Sequence, residues 1–113
     1  MADATILLDQ SGPLPVSANF NAPSDGPVIF VLTGTAWTAT AGQLIGINLY
    51  LDGNAIGNAS MCFSNEDTSH KTLRPTFIPY DGLTAGPHTI QVVPAFTSTV
   101  TDLNDYFQVT LLY

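Results

Sequence analysis

Apolar and polar residues alternate with a period of two along much of this chain, which is the pattern of β-strands. The alternation is clearest in residues 44–51, where every second residue from Ile45 to Leu51 is isoleucine or leucine. Asp52-Gly53-Asn54 follows as a tight turn, and residues 55–63 return as the partner strand. The pattern therefore predicts a β-hairpin over residues 44–63.

Further strands are predicted from apolar or alternating runs separated by clusters of Gly, Pro, Asn and Asp; they cover residues 4–8, 14–20, 28–33, 71–78, 88–95 and 106–113. Residues 28–33 are continuously apolar and rich in β-branched side chains, so we expect that strand to be buried on both faces. No window has an apolar period of 3.6. About eight strands without a helix predict an all-β fold, a two-sheet antiparallel β-sandwich of the jelly-roll kind, with an immunoglobulin-like sandwich as the alternative.

The length of 113 residues predicts one domain covering residues 1–113. Charged residues make up only 10% of the chain, against roughly 25% in an average globular protein. The surface must therefore be covered largely by Thr, Ser, Asn, Gly and apolar atoms, which tolerate desolvation better than charges do. We expect part of this surface to be buried against copies of the same chain.

The balance of charged residues limits the classes of binding partner that the protein can have. Nine carboxylates face only Lys71 and Arg74, which gives a net charge of −7. Nucleic acid is excluded because phosphate binding needs clustered Lys and Arg, whereas a neutral glycan suits such a surface. No apolar run approaches about 18 residues and no signal peptide is apparent, so we expect no membrane insertion and cytoplasmic synthesis, with extracellular action by a non-classical route left open.

The most chemically varied stretch is residues 65–75, which holds both cations and one of the two histidines. Strand alternation after the loop would place His70, Thr72 and Arg74 on one face and turn Lys71 away. Arg74 offers a rigid fork of donors for hydroxyl groups, and the alternative is an internal ion pair with Glu66 or Asp67. The candidate ligand-binding residues of this stretch are Asn65, Glu66, Asp67, His70, Thr72 and Arg74.

Sugar binding also needs an aromatic face on which a pyranose ring can stack. Trp37, Tyr50 and Tyr80 are the candidate platforms. The alternative for Trp37 is that it anchors the core, and the alternative for Tyr50 is that it packs across strands or at an interface.

Metal and catalytic sites find little support in the spacing. His70 and His88 are far apart in sequence, and the single cysteine, Cys62, lies on another predicted strand, so no zinc site is expected. Oxygen ligands cluster at residues 65–67 and 102–105, which leaves calcium as a weaker alternative to ordinary solvated turns. No nucleophile–base pattern is present. We therefore predict no cofactor and no enzymatic activity.

The last two predicted strands read LTAGPHTI (83–90) and DYFQVTLLY (105–113). They resemble the closing strands of the TNF/C1q-like trimeric jelly rolls, a group whose related endings occur in phage fibre tips and bacterial lectins. The resemblance implies a homotrimer with an axis lined by aromatic and aliphatic side chains. Together these observations predict a non-catalytic, lectin-like carbohydrate-binding homotrimer. The alternative is a structural or interaction protein, such as a fibre tip or assembly component, without a small ligand.

Overall fold

The computed structural model describes residues 3–113, which form nine β-strands in two antiparallel sheets packed face to face. The strands are β1 (Ala4–Ser11), β2 (Val16–Ala22), β3 (Gly26–Ala36), β4 (Gln43–Leu51), β5 (Asn54–Ser64), β6 (Lys71–Thr72), β7 (Thr76–Leu83), β8 (Gly86–Pro94) and β9 (Tyr106–Leu112). The predicted all-β sandwich is confirmed. No helix capable of spanning a membrane occurs between residues 3 and 113.

Each sheet mixes strands that are distant in sequence. The five-stranded sheet has the order β1-β9-β3, and both β6 and β7 pair with the remaining edge of β3. The four-stranded sheet has the order β2-β8-β4-β5. Because β1 pairs with β9 and β2 pairs with β8, the first two strands close the sandwich against the last two.

The β4–β5 hairpin forms as predicted, with a loop of two residues. Asp52 and Gly53 both have positive φ, 49° and 85°, which is the type I′ geometry that matches the twist of a hairpin. Leu51 pairs directly with Asn54, so Asn54 begins β5 and is not part of the turn. The Asp-Gly pair thus sets the register of the most regular part of the fold.

The core lies between the sheets and is built from alternate residues. In β3, Val28, Phe30 and Leu32 are buried, whereas Ile29 and Val31 are only half-buried on the outer face. The prediction that this strand is buried on both faces is therefore wrong. No layer of the chain between residues 3 and 113 covers that side of the five-stranded sheet, so its apolar residues are shielded only by their neighbours in the sheet.

The half of the five-stranded sheet near the start of β3 presents apolar side chains to solvent. Strand register places Leu112 and Pro79 beside Ile29, and Phe77 beside Val31. Ile6 and Phe77 are 56% and 61% exposed. We call this surface the apolar outer face, defined by Ile6, Ile29, Val31, Phe77, Pro79 and Leu112.

The predicted strand 71–78 is interrupted in the structure. Only Lys71–Thr72 pairs with the end of β3, and pairing resumes at Thr76 in β7. Pro75 lacks the N–H that a continuous ladder needs. Leu73 turns inward between the two pieces, where it is 1% exposed and its N–H donates to the carbonyl of Gly34 at 2.9 Å.

Candidate functional site

Four loops meet at one end of the sandwich. The β3–β4 loop binds the β8–β9 loop through two hydrogen bonds, from Trp37 N to Val100 O at 2.9 Å and from Val100 N to Trp37 O at 2.8 Å. The β5–β6 loop joins them because the Thr68 N–H donates to the Thr38 carbonyl at 2.8 Å. In the β1–β2 loop, Gly12 N donates to Asp105 O at 2.9 Å. We call this surface the loop end.

A buried carboxylate organises the loop end. The Asp105 side chain is 0% exposed and accepts hydrogen bonds from the Thr35 hydroxyl at 2.8 Å and from the Asp102 N–H at 2.9 Å. His70 Nδ1 lies 2.7 Å from Asp105 Oδ1. Because the carboxylate is surrounded by donors, it acts only as an acceptor, and the imidazole must donate its Nδ1–H to it. This bond fixes both the orientation and the tautomer of His70.

The other ring nitrogen of His70 is held toward a second carboxylate. Nε2 lies 3.8 Å from Asp102 Oδ2, and the two side chains are 36% and 42% exposed. The other oxygen of Asp102 is already used, because Oδ1 accepts the Asn104 N–H at 2.8 Å. The loop end therefore presents two lone-pair atoms, His70 Nε2 and Asp102 Oδ2, to solvent.

Trp37 completes this surface with an aromatic ring. Its centroid lies 5.9 Å from that of His70, with 45° between the planes. The ring is half-buried, and its indole N–H is enclosed without an acceptor among residues 3–113. Trp37 does not belong to the core cluster, so it does not anchor the core as the packing alternative predicted, and part of its ring forms a surface beside His70.

A small pocket opens next to the Trp37–Val100 bridge. It has a volume of about 200 Å³ and lies between the β3–β4 and β8–β9 loops. Hydroxyl and amide side chains dominate its lining, which includes Thr38, Thr40, Gln43, Thr97 and Ser98. Such a lining offers both donors and acceptors and no charge.

The loop residues 65–67 follow β5 and are exposed. Glu66 pairs with Lys71, Nζ to Oε1 at 2.5 Å, and this hydrogen bond holds the pKa of Glu66 below its usual value. Lys71, which the alternation turns away from the predicted face, thus pairs with a carboxylate of the β5–β6 loop. The alternative pairing of Arg74 with Glu66 or Asp67 is not formed, because among residues 3–113 no carboxylate lies within ion-pair distance of the Arg74 guanidinium.

Arg74 and Tyr50 lie at two other places. Arg74 lines a groove of about 550 Å³ along β5, together with Leu44, Asn58, Met61 and Phe63. Tyr50 lies on the outer face of the four-stranded sheet, opposite Ala55 and Gln91, near the end of β4 that is remote from the β3–β4 loop. The structure thus brings Trp37 and His70 together, with Thr72 paired to Thr35 close by, and leaves Arg74 and Tyr50 apart.

Sequence reasoning missed Asp105 and Asp102 as partners of His70 and treated them only as turn residues or oxygen ligands. A signal for Asp105 was present. It continues the inward series of Phe107, Val109 and Leu111 in β9, so a period of two places a carboxylate on the buried face. A buried carboxylate requires hydrogen-bond partners, and His70 was one of few candidates.

The second histidine, His88, lies near the start of β8 and forms a separate cluster away from the loop end. His88 Nδ1 lies 2.6 Å from Asp52 Oδ2, and its Nε2 lies 2.7 Å from the carbonyl oxygen of Thr84. The ring stacks on Phe20 at a centroid distance of 5.6 Å and is 11% exposed. The hydrogen bond to Asp52 raises the pKa of His88, and the same bond lowers the pKa of Asp52. His88 is thus a largely covered residue whose two ring nitrogens are both engaged by acceptors.

Cys62 is half-buried, and burial raises the pKa of its thiol. It is therefore protonated near neutral pH and unsuited to nucleophilic attack.

No protein-family model matches the sequence, and no curated protein does. Several solved structures share the fold. A family 35 carbohydrate-binding module from Clostridium thermocellum matches with a TM-score of 0.56 at 14% identity, over 96% of this chain and 91% of that one. The CBM36-1 domain of a multidomain xylanase from the hindgut metagenome of Trinervitermes trinervoides matches with a TM-score of 0.51 at 14% identity, over 96% of both chains.

A third match lies within a larger protein. It is dimeric latent PorU from Porphyromonas gingivalis, with a TM-score of 0.54 at 18% identity, over 95% of this chain and 11% of that one. At such identities the likeness establishes the fold, a jelly-roll-type β-sandwich shared with carbohydrate-binding modules, and transfers no function by itself.

Proposed function

We propose that this chain is a non-catalytic carbohydrate-binding domain whose site is the loop end. The observation that carries the proposal is the placement of the Trp37 ring beside two solvent-facing polar atoms, His70 Nε2 and Asp102 Oδ2. A sugar offers an apolar face of C–H groups to an aromatic ring and hydroxyl groups to acceptors and donors. The ring and the polar atoms occur here on one surface, as sugar recognition requires.

Two further features support a sugar ligand at this place. The hydroxyl-lined pocket beside Val100 lies on the same loop end and can accept additional hydroxyl groups. His70 is held rigidly by the buried Asp105, so little side-chain entropy is lost when it binds a ligand. Both features suit a rigid recognition surface for hydroxyl groups.

The fold and the charge are compatible with this proposal. Two of the structures that share the fold are carbohydrate-binding modules, which raises the expectation by analogy. The net charge of −7 favours a neutral glycan over an anionic one, because like charges repel across a binding surface. We also propose that residues 1–113 form a single domain.

The experiment is a glycan array followed by calorimetry with the best neutral glycan. We expect His70→Ala and Asp102→Asn each to weaken binding about five- to thirtyfold, since each removes or weakens one polar contact worth about 1–2 kcal/mol. Arg74→Ala and Tyr50→Ala test the two predicted contacts that lie elsewhere and should change the affinity less than twofold if the ligand sits at the loop end. Strong losses in these two variants with none at His70 would move the site to β5 or the sheet face.

We also propose that the chain assembles as a homotrimer of the TNF/C1q kind. The apolar outer face supports this assembly, because an exposed group of large apolar side chains on one sheet marks an interaction surface. Light scattering should report three copies for the wild type and fewer for Phe77→Ser. Phe63→Ser is the matched control, since Phe63 is similarly exposed, at 58%, but lies in the β5 groove. A monomeric wild type would contradict the assembly.

The second candidate function is that of an interaction or assembly protein without a small ligand. The same apolar outer face favours it, and so does the occurrence of this fold as 11% of a larger, dimeric protein. A blank glycan array combined with stable self-association would select this function over carbohydrate binding.

A further inference from the structure

The spacing between His70 and Asp102 is at the long end of the ion-pair range and too long for a hydrogen bond. Nε2 and Oδ2 are 3.8 Å apart, which is beyond hydrogen-bond range. Both side chains are nevertheless fixed: His70 by its 2.7 Å bond to Asp105, and Asp102 by the bond from the Asn104 N–H to its other oxygen. Two lone-pair atoms are therefore held facing one another without a direct hydrogen bond between them.

This distance is the one that two ligands of a single metal ion adopt. Zinc binds histidine nitrogen and carboxylate oxygen at about 2.0–2.2 Å, so two such ligands at tetrahedral or slightly wider angles lie about 3.3–3.8 Å apart. We propose that the loop end binds a divalent transition-metal ion of the zinc type through His70 Nε2 and Asp102 Oδ2. The proposal does not depend on glycan binding, because it concerns the metal alone.

Asp105 supplies the outer-shell support that such sites have. A metal-binding histidine almost always donates its other N–H to a carboxylate or carbonyl, which fixes the tautomer and strengthens the ligand. Here Asp105 Oδ1 accepts that N–H and is itself held by the Thr35 hydroxyl at 2.8 Å. Asp105 also lies in the one group among residues 3–113 whose His, Cys and acidic ligand atoms converge within 4.8 Å. Its short bond to Nδ1 assigns it to orienting His70 and not to ligating the ion.

The donor set selects the class of metal. An imidazole nitrogen favours zinc, copper or nickel, whereas calcium and magnesium require oxygen ligands in larger numbers. The calcium alternative raised by the sequence is therefore less suitable here than a zinc-type ion. Two protein ligands leave further coordination positions for water or for hydroxyl groups of a bound molecule, and they also predict a weak, exchangeable site.

The test is a calorimetric titration of the intact chain with Zn²⁺ and, separately, with Ca²⁺. We expect saturable Zn²⁺ binding at one ion per chain and no saturable Ca²⁺ binding. His70→Ala and Asp102→Asn should each abolish the Zn²⁺ signal. Asp105→Asn should weaken it about 10–100-fold, the usual effect of removing an outer-shell partner. If Asp105→Asn does not fold, Asp102→Asn still tests the proposal, because the Asp102 side chain is 42% exposed and its replacement should leave the fold intact.

The chain provides matched controls. His88→Ala and Asp52→Ala alter the other histidine–aspartate pair, and Cys62→Ser removes the only thiol; all three should bind Zn²⁺ as the wild type does. No saturable Zn²⁺ binding to the wild type, or unchanged binding in His70→Ala, would overturn the proposal. A glycan titration in the presence and absence of EDTA then shows whether the ion takes part in sugar binding, so the two proposals can fail separately.

Discussion

The two histidines of this protein pair with aspartates at opposite ends of the sandwich. Only in one of the pairs are both ring nitrogens hydrogen-bonded. At His88 both ring nitrogens face acceptors, Asp52 Oδ2 at 2.6 Å and Thr84 O at 2.7 Å, so the arrangement favours the protonated ring, which can donate to both. At His70 one nitrogen is bound to Asp105 and the other faces Asp102 across 3.8 Å. Both nitrogens of His88 are therefore engaged within the fold, whereas Nε2 of His70 is available to a ligand.

Burial is reversed between the two pairs. The His88 ring is 11% exposed and its carboxylate partner is 48% exposed, whereas the His70 ring is 36% exposed and its partner Asp105 is 0% exposed. A buried carboxylate behind an accessible ring orients that ring toward solvent. An exposed carboxylate over a buried ring covers it instead. The position of the carboxylate therefore distinguishes an accessible ring from a covered one more clearly than the presence of a histidine–aspartate contact does.

The largest difference between the pairs should appear when the carboxylates are removed. Asp105→Ala leaves the Thr35 hydroxyl, the Asp102 N–H and His70 without their acceptor in a buried place, so we expect a loss of about 3 kcal/mol or more in the free energy of unfolding. Asp52→Ala should cost about 1 kcal/mol, because its carboxylate is half in water. Urea denaturation measures both. Equal losses would contradict the assigned roles.

The second-largest effect is expected from a substitution at Gly12, whose backbone packs closely against the β8–β9 loop. A Cβ on Gly12 would lie 2.7 Å from the carbonyl oxygen of Asp102, so Gly12→Ala must displace the β8–β9 loop. We expect a destabilisation of about 1–3 kcal/mol together with weaker ligand binding. Gly82→Ala is the matched control, since a Cβ there meets nothing within 4 Å and should leave both stability and binding unchanged. Wild-type binding by Gly12→Ala would separate the loop position from the site.

The His88–Asp52 pair should make the stability of the fold depend on pH. The pKa of His88 is raised above its ordinary value of 6.5, so its contribution is complete below that pH and is lost as the pH rises through the folded-state pKa. The pKa of Asp52 is lowered below 3.8, so its contribution is present above that pH and is lost on acidification. The pair therefore stabilises the fold most between these two ordinary values.

We expect the contribution of the His88–Asp52 pair to the free energy of unfolding to fall by about 1 kcal/mol between about pH 5.5 and about pH 9 in the wild type. The same measurement on His88→Gln should lack that part of the difference, because the variant carries no titrating ring. Urea denaturation of both proteins at both pH values provides the comparison. A wild type and variant with the same pH profile would show that His88 is not charged in the fold.

The smallest effect is expected at the exposed Glu66–Lys71 pair. Both groups lie at the edge of the loop end, and exposed ion pairs are screened by water and salt. Lys71→Met should leave the unfolding midpoint unchanged within error at moderate salt. It should also leave glycan binding unchanged if recognition is centred on Trp37 and His70. A clear loss of binding would extend the site to the Glu66–Lys71 pair.

Local patterns predicted the regular part of this fold well. The β4–β5 hairpin follows from alternation and an Asp-Gly turn, both of which act within a few residues. The burial of β3 was overestimated because a continuous apolar run does not show whether a second layer covers the sheet. Alternation was also carried through Pro75, where the strand breaks, so the predicted shared face of His70, Thr72 and Arg74 does not exist as a single site.

The site itself could be predicted only in part, because its contacts are long-range. Trp37 and His70 were named from their chemistry, but their meeting depends on how the β3–β4 and β5–β6 loops are arranged around β9. Asp105 lies 35 residues from His70, and no local pattern joins them. Tyr50 and Arg74 have equally suitable side chains, and only the sheet topology separates them from the loop end.

The most direct test of carbohydrate binding at the loop end is an NMR titration of backbone amides with the best neutral glycan from an array. We predict saturable shifts concentrated at residues 37–40, 68–72 and 97–105, with little change around Tyr50 or along the β5 groove. Shifts confined to either of those two surfaces, or the absence of any binding glycan, would contradict the account.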